Sequence, residues 1–249
     1  MVYRLIQGTL RAVTFRLPAY RPGQSPIRLP EKFSVFSRYP DDPMILFGLA
    51  NAYRAIFSEP PWNENWPIEK TLAKLQRELA GDCFLVVMRG EGSLVSGFSW
   101  GALVSLEHLE SRIEPALGIR PVGLAEALRK QGTERLVYFD ELAVLESGRG
   151  GPDPVRFLLR PGLELGHGLG VFKTMFWSTP KSKIVPLATY MGYRPIFEVE
   201  HGGKEIVFLL NSDFLPLLKV TQYLSPSKIV RVMRFVSLFL QGRRNKAGS

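Results

Sequence analysis

Two adjoining stretches decide the fold, Arg135-Leu-Val-Tyr-Phe-Asp-Glu-Leu-Ala-Val-Leu145 and the glycine-rich Ser147-Gly-Arg-Gly-Gly151. The first is rich in β-branched and aromatic residues and predicts the longest strand of the chain. A helical pattern follows the glycines. A strand, a glycine-rich loop and a helix in this order favour anion binding, because backbone N–H groups and the positive end of the helix converge there. The alternative for such a loop is an ordinary turn.

The elements around this core predict one α+β or α/β sheet domain without internal repeats. Helices are predicted after the acidic cap at Asp42, after Pro67, over 124–130 and over 182–192, and the rest of 105–130 is predicted to be a mixed insertion. Strands are predicted at 33–38, 83–88, 94–104, 172–177, 195–199 and 204–210.

The two ends of the chain differ from this middle part in composition. Residues 1–32 are rich in arginine and proline and predict an extended arm, because proline resists helix and central strand. The domain is assigned to 33–211, and 212–249 is predicted to be a basic amphipathic helical extension. Either this extension packs against the domain, or it makes a peripheral membrane or protein contact.

Composition narrows the class of protein. The single cysteine, Cys83, cannot form an internal disulfide, and no Cys/His cluster has metal-ligand spacing, so we expect no metal. We expect a cytoplasmic protein, because arginines interrupt the apolar N-terminal stretch and no apolar run is long enough to span a membrane. The net charge of +9 suggests polyanionic partners, but no basic–aromatic module points to specific nucleic acid.

Three motifs carry a resemblance to a known family. They are Phe139-Asp-Glu-Leu-Ala-Val144 with Arg149-Gly150 downstream, the late segment Ser182-Lys-Ile-Val-Pro-Leu-Ala-Thr-Tyr-Met-Gly-Tyr193, and the loop Phe57-Ser-Glu-Pro-Pro-Trp-Asn-Glu-Asn-Trp66. Together they resemble the strand with its pyrophosphate loop, the late helix and the substrate-side loop of the GCN5-related N-acetyltransferases. The resemblance covers residues 33–211. It implies a mixed, mostly antiparallel sheet flanked by helices, acetyl-CoA as co-substrate and an amine of a small molecule or protein as acceptor.

The resemblance also implies roles for particular residues. Glu141 would be the base that deprotonates the amine, and Tyr190 would protonate the departing thiolate. Because side chains alternate along a strand, Asp140 and Glu141 are expected on opposite faces, so that only one faces the cleft. The remaining residues would bind the two substrates: the backbone of Leu142, Ala143 and Val144 and the loop residues Arg149, Gly150, Gly151 and Asp153 would hold CoA, and Trp62, Asn63 and Glu64 would shape the acceptor site.

Prolines depart from the family pattern. Pro152 and Pro154 stand where the family has glycines, and each removes an N–H that would otherwise reach a phosphate. Pro161 is expected to interrupt the following helix. The alternative function is therefore a degenerate module of the same fold that binds or regulates without efficient catalysis.

Overall fold

The computed structural model describes residues 29–60, 62–90, 95–145, 154–182 and 184–223. The strands are β1 Phe33–Phe36, β2 Cys83–Arg89, β3 Val95–Ser105, β4 Arg135–Val144, β5 Thr174–Ser178, β6 Arg194–His201 and β7 Lys204–Asn211. The helices are α1 Pro43–Phe57, α2 Ile68–Glu78, α3 Leu106–Leu117, α4 Leu124–Lys130, α5 Pro154–Gly168, α6 Ile184–Tyr190 and α7 Leu215–Tyr223. The predicted arm up to residue 28, the glycine loop at 146–153 and the basic tail from residue 224 lie outside the described residues.

Within the described ranges, one sheet of seven strands runs in the order β1-β2-β3-β4-β5-β7-β6. Neighbouring strands are antiparallel except for β4 and β5, which are parallel. This confirms the mixed, mostly antiparallel sheet flanked by helices.

Helices cover both faces of the sheet, which gives three layers and two apolar cores. One core contains residues from α1 to α4, such as Leu49, Leu75 and Leu109. The other contains residues from α5, α6 and the start of the last helical segment, such as Leu158, Ala188 and Phe214. Because the sheet is buried on both faces, the sequences of the central strands are nearly continuous runs of apolar residues.

The sequence correctly predicted where several helices begin or end. Asp42 caps α1, since its carboxylate accepts the Met44 N–H at 2.9 Å. Gly192 follows α6 in a left-handed conformation with φ 94°, which a side chain would disfavour. The expected interruption at Pro161 was wrong, because α5 continues through this residue to Gly168. Burial of Leu158 and Leu163 against the sheet offsets the backbone hydrogen bond that the proline removes.

A β-bulge distorts β4 beside the motif. Trp100 of β3 lies opposite Glu141, but the next residue, Gly101, lies opposite Phe139, so Asp140 is an extra residue in β4. A bulge of this kind bends the strand and redirects its side chains.

The strands β4 and β5 separate just beyond the bulge. Their pairing consists of Val137 with Thr174 and Tyr138 with Met175, although β4 continues to Val144 and β5 to Ser178. β5 remains paired with β7 through Ser178. The outer part of β4 therefore turns a backbone edge toward a gap inside the sheet.

Gly101→Ala is expected to destabilise the fold by about 1–3 kcal/mol, the usual range for overpacking. A Cβ at residue 101 would overlap the carbonyl oxygen of Tyr138 and would lie 2.9 Å from Phe84 Cζ and 3.0 Å from Phe139 Cα. Because the obstructing atoms include the backbone beside the bulge, β3 and β4 must move apart. Urea denaturation measures the loss. Gly168→Ala is the control, since a Cβ there has no described atom within 4 Å. Equal stability of the two variants would contradict this account of the bulge.

Candidate active site

A cavity of about 150 Å³ lies in the gap between β4 and β5. Its walls come from β4, β5, the end of α1 and the segment around α6, and include Phe57, Trp62, Phe139, Glu141, Leu142, Trp177, Ser178, Ile184 and Tyr193. Most of these side chains are apolar, so the carboxylates of β4 are prominent features of the wall.

Glu141 lines this cavity and is anchored from behind. Its Oε1 accepts the Tyr53 hydroxyl at 2.9 Å and lies 3.3 Å from Lys74 Nζ. Only 13% of the Glu141 side chain remains exposed. A carboxylate held in this way faces the cavity in a fixed orientation.

Asp140 lies on the same side of the sheet as Glu141, so the expectation that the two residues face opposite ways was wrong. Their neighbours Phe139 and Leu142 both pack into the core on the α5 side. The extra residue of the bulge breaks the alternation, and both carboxylates therefore point to the α1–α3 side. The Arg112 guanidinium holds Asp140 by two hydrogen bonds, of 3.2 and 2.6 Å.

Behind Glu141 lies a buried polar network that connects three elements. Lys74 Nζ contacts Glu78 Oε1 at 2.9 Å, and Glu78 Oε2 accepts the Trp100 indole N–H at 2.9 Å. Arg112 also donates to the backbone carbonyl of Glu78 at 2.6 Å. The network thus joins α2, α3 and β3 to the two carboxylates of β4.

The environment raises the pKa of both β4 carboxylates to near 7. Burial raises the pKa of Glu141 to about 7, although Lys74 opposes the change. Burial likewise raises the pKa of Asp140 to about 7 against the opposing charge of Arg112. A carboxylate with a pKa close to the surrounding pH is suited to accept a proton. Glu141 has the better placement for this, because Asp140 is engaged by Arg112.

The aromatic end of the cavity contains part of the predicted acceptor loop. Trp62 packs against Phe57 and Trp177, with ring centroids 5.6 and 6.1 Å away. Lys204 of the β6–β7 hairpin donates to the Trp62 carbonyl at 3.2 Å. Trp62 is thereby fixed at the cavity wall.

The other two predicted acceptor residues follow Trp62 in a tight turn. Asn63 is exposed and adopts a left-handed conformation with φ 50°. Glu64 accepts the Trp66 indole N–H at 2.8 Å and lies 3.5 Å from Lys204 Nζ. Of the three residues, Trp62 is the one among the described lining of the cavity.

Tyr190 is the last residue of α6 and is 45% exposed. The described lining of the cavity contains Tyr193 instead, a buried residue whose hydroxyl donates to Thr174 Oγ1 at 3.5 Å. The role of Tyr190 as an acid stays a prediction.

The pairing of β4 with β5 does not extend to Leu142, Ala143 and Val144, and the role of this backbone in holding CoA stays a prediction. Leu142 and Ala143 also line the cavity. The predicted phosphate-binding residues Arg149, Gly150, Gly151 and Asp153 lie outside the described residues. Within the described ranges, no group of three His, Cys, Asp or Glu side chains is arranged to hold a metal ion. No helix in the described part of the chain is long and apolar enough to cross a membrane.

The order of elements and the mixed, mostly antiparallel sheet agree with the resemblance. The chain has a fold similar to that of the GCN5-related N-acetyltransferases. Among solved structures, it is similar to an uncharacterized protein from Bacillus halodurans, with a TM-score of 0.50 and 13% identity over 76% of this chain and 90% of that one.

Two further similar structures are those of named proteins. Arabidopsis thaliana NAA60 in complex with a bisubstrate analogue has a TM-score of 0.46 and 18% identity over 72% of this chain and 96% of that one. Drosophila melanogaster polyamine N-acetyltransferase has a TM-score of 0.43 and 13% identity over 72% of this chain and 98% of that one. At such identities the likeness concerns the fold alone. No protein-family model matches the sequence. No curated protein matches it either.

Several residues around the two β4 carboxylates escaped the sequence reasoning. Tyr53, Lys74, Glu78 and Arg112 were assigned no role, although all four belong to the network around Glu141 and Asp140. A signal existed for one pair: Lys74 and Glu78 are four residues apart and flank Leu75 on the predicted apolar face of α2. Charged residues at such positions indicate a buried ion pair.

Proposed function

We propose that this protein transfers an acetyl group from acetyl-CoA to an amine of a small molecule or protein, by direct transfer in a ternary complex. One observation carries the proposal: a carboxylate with a pKa near 7 lies in the cavity that opens between β4 and β5. The part of β4 that does not pair with β5 and the proton acceptor are thus adjacent. This is the arrangement that amine acylation requires.

The co-substrate would be held along β4. The backbone of Leu142, Ala143 and Val144 would pair with the extended pantetheine arm like an added strand. The loop with Arg149, Gly150, Gly151 and Asp153 would bind the pyrophosphate through backbone N–H groups and the Arg149 charge. Acetyl-CoA would supply the activated acyl group as a thioester.

Glu141 would take the proton from the attacking amine, so that the nitrogen lone pair is free to form the new C–N bond as the C–S bond breaks. Tyr190 would return a proton to the thiolate of CoA. Bound substrates would exclude water from the apolar cavity, which strengthens the interactions of the carboxylate. Trp62, Asn63 and Glu64 would shape the acceptor site, and the aromatic pair of Trp62 and Trp177 favours an amine next to an apolar group.

A second candidate, a module of this fold that binds without efficient catalysis, is favoured by the prolines of the loop. Pro154 is the first residue of α5, and neither it nor Pro152 can donate an N–H to a phosphate. The same position is where a helix tolerates proline best, because the first N–H groups have no partner within the helix. The prolines therefore weaken phosphate binding without preventing the helix.

Arg149→Ala is expected to weaken CoA binding by about 1–3 kcal/mol, as the loss of a charged hydrogen bond does. Titration calorimetry with CoA and acetyl-CoA measures this. Arg129→Ala, an exposed arginine of α4, is the control and should bind as the parent does. Amine acetylation is then assayed with aromatic amines, polyamines and peptide N-termini. Tight CoA binding without turnover of any amine would favour the binding module, and no CoA binding by the parent would exclude the acetyltransferase and leave the non-catalytic module.

A further inference from the structure

The buried face of α2 is charged. Four residues of this helix are buried, Thr71, Lys74, Leu75 and Glu78, with 4% of Lys74 and 2% of Glu78 exposed. Lysine and glutamate are rarely buried so completely. A buried ion pair often stabilises a fold no more than apolar residues of the same volume do. Packing alone therefore gives no reason for these residues, and their contacts point to the active site.

Lys74 is arranged to hold one particular oxygen. Its Nζ lies 3.3 Å from Glu141 Oε1, the same oxygen that accepts the Tyr53 hydroxyl at 2.9 Å. Within the described part of the chain, the Glu141 carboxylate accepts no other side-chain hydrogen bond. Both donors thus converge on Oε1 and leave Oε2 without a side-chain donor, on a residue that lines the cavity.

Among the described residues, the titratable groups around Glu141 come from four elements. They are Tyr53 on α1, Lys74 and Glu78 on α2, Arg112 on α3, and Tyr138 and Asp140 on β4. Arg112 is engaged by Asp140 at 2.6 Å. Lys74 is therefore the cation in contact with Glu141 among the described residues, and Glu78 fixes Lys74 from the other side at 2.9 Å.

We propose that Lys74 is a positioning residue for acetyl transfer, whose ammonium group binds Glu141 Oε1, keeps this carboxylate ionised in an apolar cavity and leaves Oε2 directed at the acceptor amine. The proposal rests on the proposed role of Glu141 as the base. Glu78 serves the same purpose indirectly, because it fixes Lys74 by a salt bridge and is itself fixed by Trp100.

The electrostatics predict opposite effects for these two neighbours. Burial raises the pKa of Glu141 to about 7, Lys74 is the strongest influence in the other direction, and Glu78 raises the pKa further. Removing the ammonium group must therefore raise the pKa of Glu141, and removing the Glu78 charge must lower it.

The test compares Lys74→Met with Glu78→Gln. Because Glu141 must be ionised to act, kcat/KM rises with pH through its pKa. In Lys74→Met this acidic limb should move up by about one pH unit or more, which lowers kcat/KM at pH 6 by about tenfold. In Glu78→Gln the limb should move down. Lys70→Met, an exposed lysine one turn earlier on α2, is the control and should keep the parent profile. A purely structural role would not shift the two limbs in opposite directions.

A second readout does not depend on activity. The carboxyl carbon of Glu141 is followed by NMR in protein labelled at the glutamate δ-carbon, with the signal assigned through Glu141→Gln. If Lys74→Met does not fold, the double variant Lys74→Met/Glu78→Met removes both charges together, a change that cores often tolerate. Its Glu141 midpoint should still lie above that of the parent, because the influence of Lys74 exceeds that of Glu78.

The outcomes separate this inference from the proposed function. A raised midpoint of the Glu141 pH titration in either Lys74 variant supports the proposal that Lys74 keeps Glu141 ionised. An unchanged midpoint overturns it. If the parent acetylates no amine, the proposed function fails, and the NMR midpoints still decide whether Lys74 controls Glu141. If the parent is active and the limb does not move in a folded Lys74 variant, Lys74 is not the positioning residue.

Discussion

Glu141→Gln is expected to lower kcat/KM for acetyl transfer by about 10²–10⁴, the usual effect of losing a general base. The amide has the shape of the carboxylate and can still accept the Tyr53 hydroxyl, so the cavity should keep its form. It cannot take a proton from the amine. The affinity for CoA should not change, because the backbone edge of β4 does not depend on this side chain.

Initial rates at several pH values, with the dissociation constant of CoA from calorimetry, measure this separation of catalysis from binding. Glu134→Gln provides a matched control, since Glu134 is exposed just before β4. A variant as fast as the parent would exclude Glu141 as the base. A variant that loses CoA affinity as much as rate would show that the substitution deforms the cleft.

Arg112→Met is expected to lower the free energy of unfolding by about 3–5 kcal/mol, the usual loss when one partner of a buried ion pair is removed. Arg112 and Asp140 have only 15% and 5% of their side chains exposed. Without the guanidinium, Asp140 would be a buried and unpaired carboxylate, and the Glu78 carbonyl would lose its donor.

The loss should depend on pH. The pKa of Asp140 in the folded protein is already raised from 3.8 to about 7, and removing Arg112 raises it further. Between the unfolded pKa and the folded pKa of Asp140, the folded state binds more protons than the unfolded state, so stability falls as the pH rises. In the variant this fall continues above pH 7, because the folded pKa is higher. The destabilisation should therefore be larger at pH 8 than at pH 5. Urea denaturation at the two pH values measures it.

The double variant Arg112→Met/Asp140→Asn should recover part of the loss, because no buried charge is then left unpaired. Arg129→Met, on the exposed side of α4, should change little. Equal destabilisation at both pH values would contradict the role of an unpaired Asp140.

Much of the fold could be predicted from the sequence, because the signals that begin and end its elements depend on residues close together in the chain. The cap at Asp42 and the stop at Gly192 need only a few residues to act, and both were correct. The helix α3 was missed within the predicted mixed insertion of 105–130, although Leu109 and Ile113 have helical spacing.

The candidate site depended on pairing between distant residues, which local patterns do not contain. The alternation that separated Asp140 from Glu141 fails because Gly101, nearly forty residues earlier, pairs with Phe139 rather than with Asp140. Lys74 was missed for a related reason: charged residues on helices are normally placed in solvent, and its carboxylate partner on β4 is distant in sequence.

The separation of β4 from β5 gives this sheet an edge in its interior. Exposed edges at the margin of a sheet invite pairing with other chains, and proteins normally protect them. Here the edge of Leu142, Ala143 and Val144 is recessed beside a cavity whose walls include α1 and the segment around α6. A β-strand from another protein would bring side chains that a recess of about 150 Å³ does not accommodate. The recess thus protects this edge of β4 from pairing with other chains, and with it the protein from aggregation.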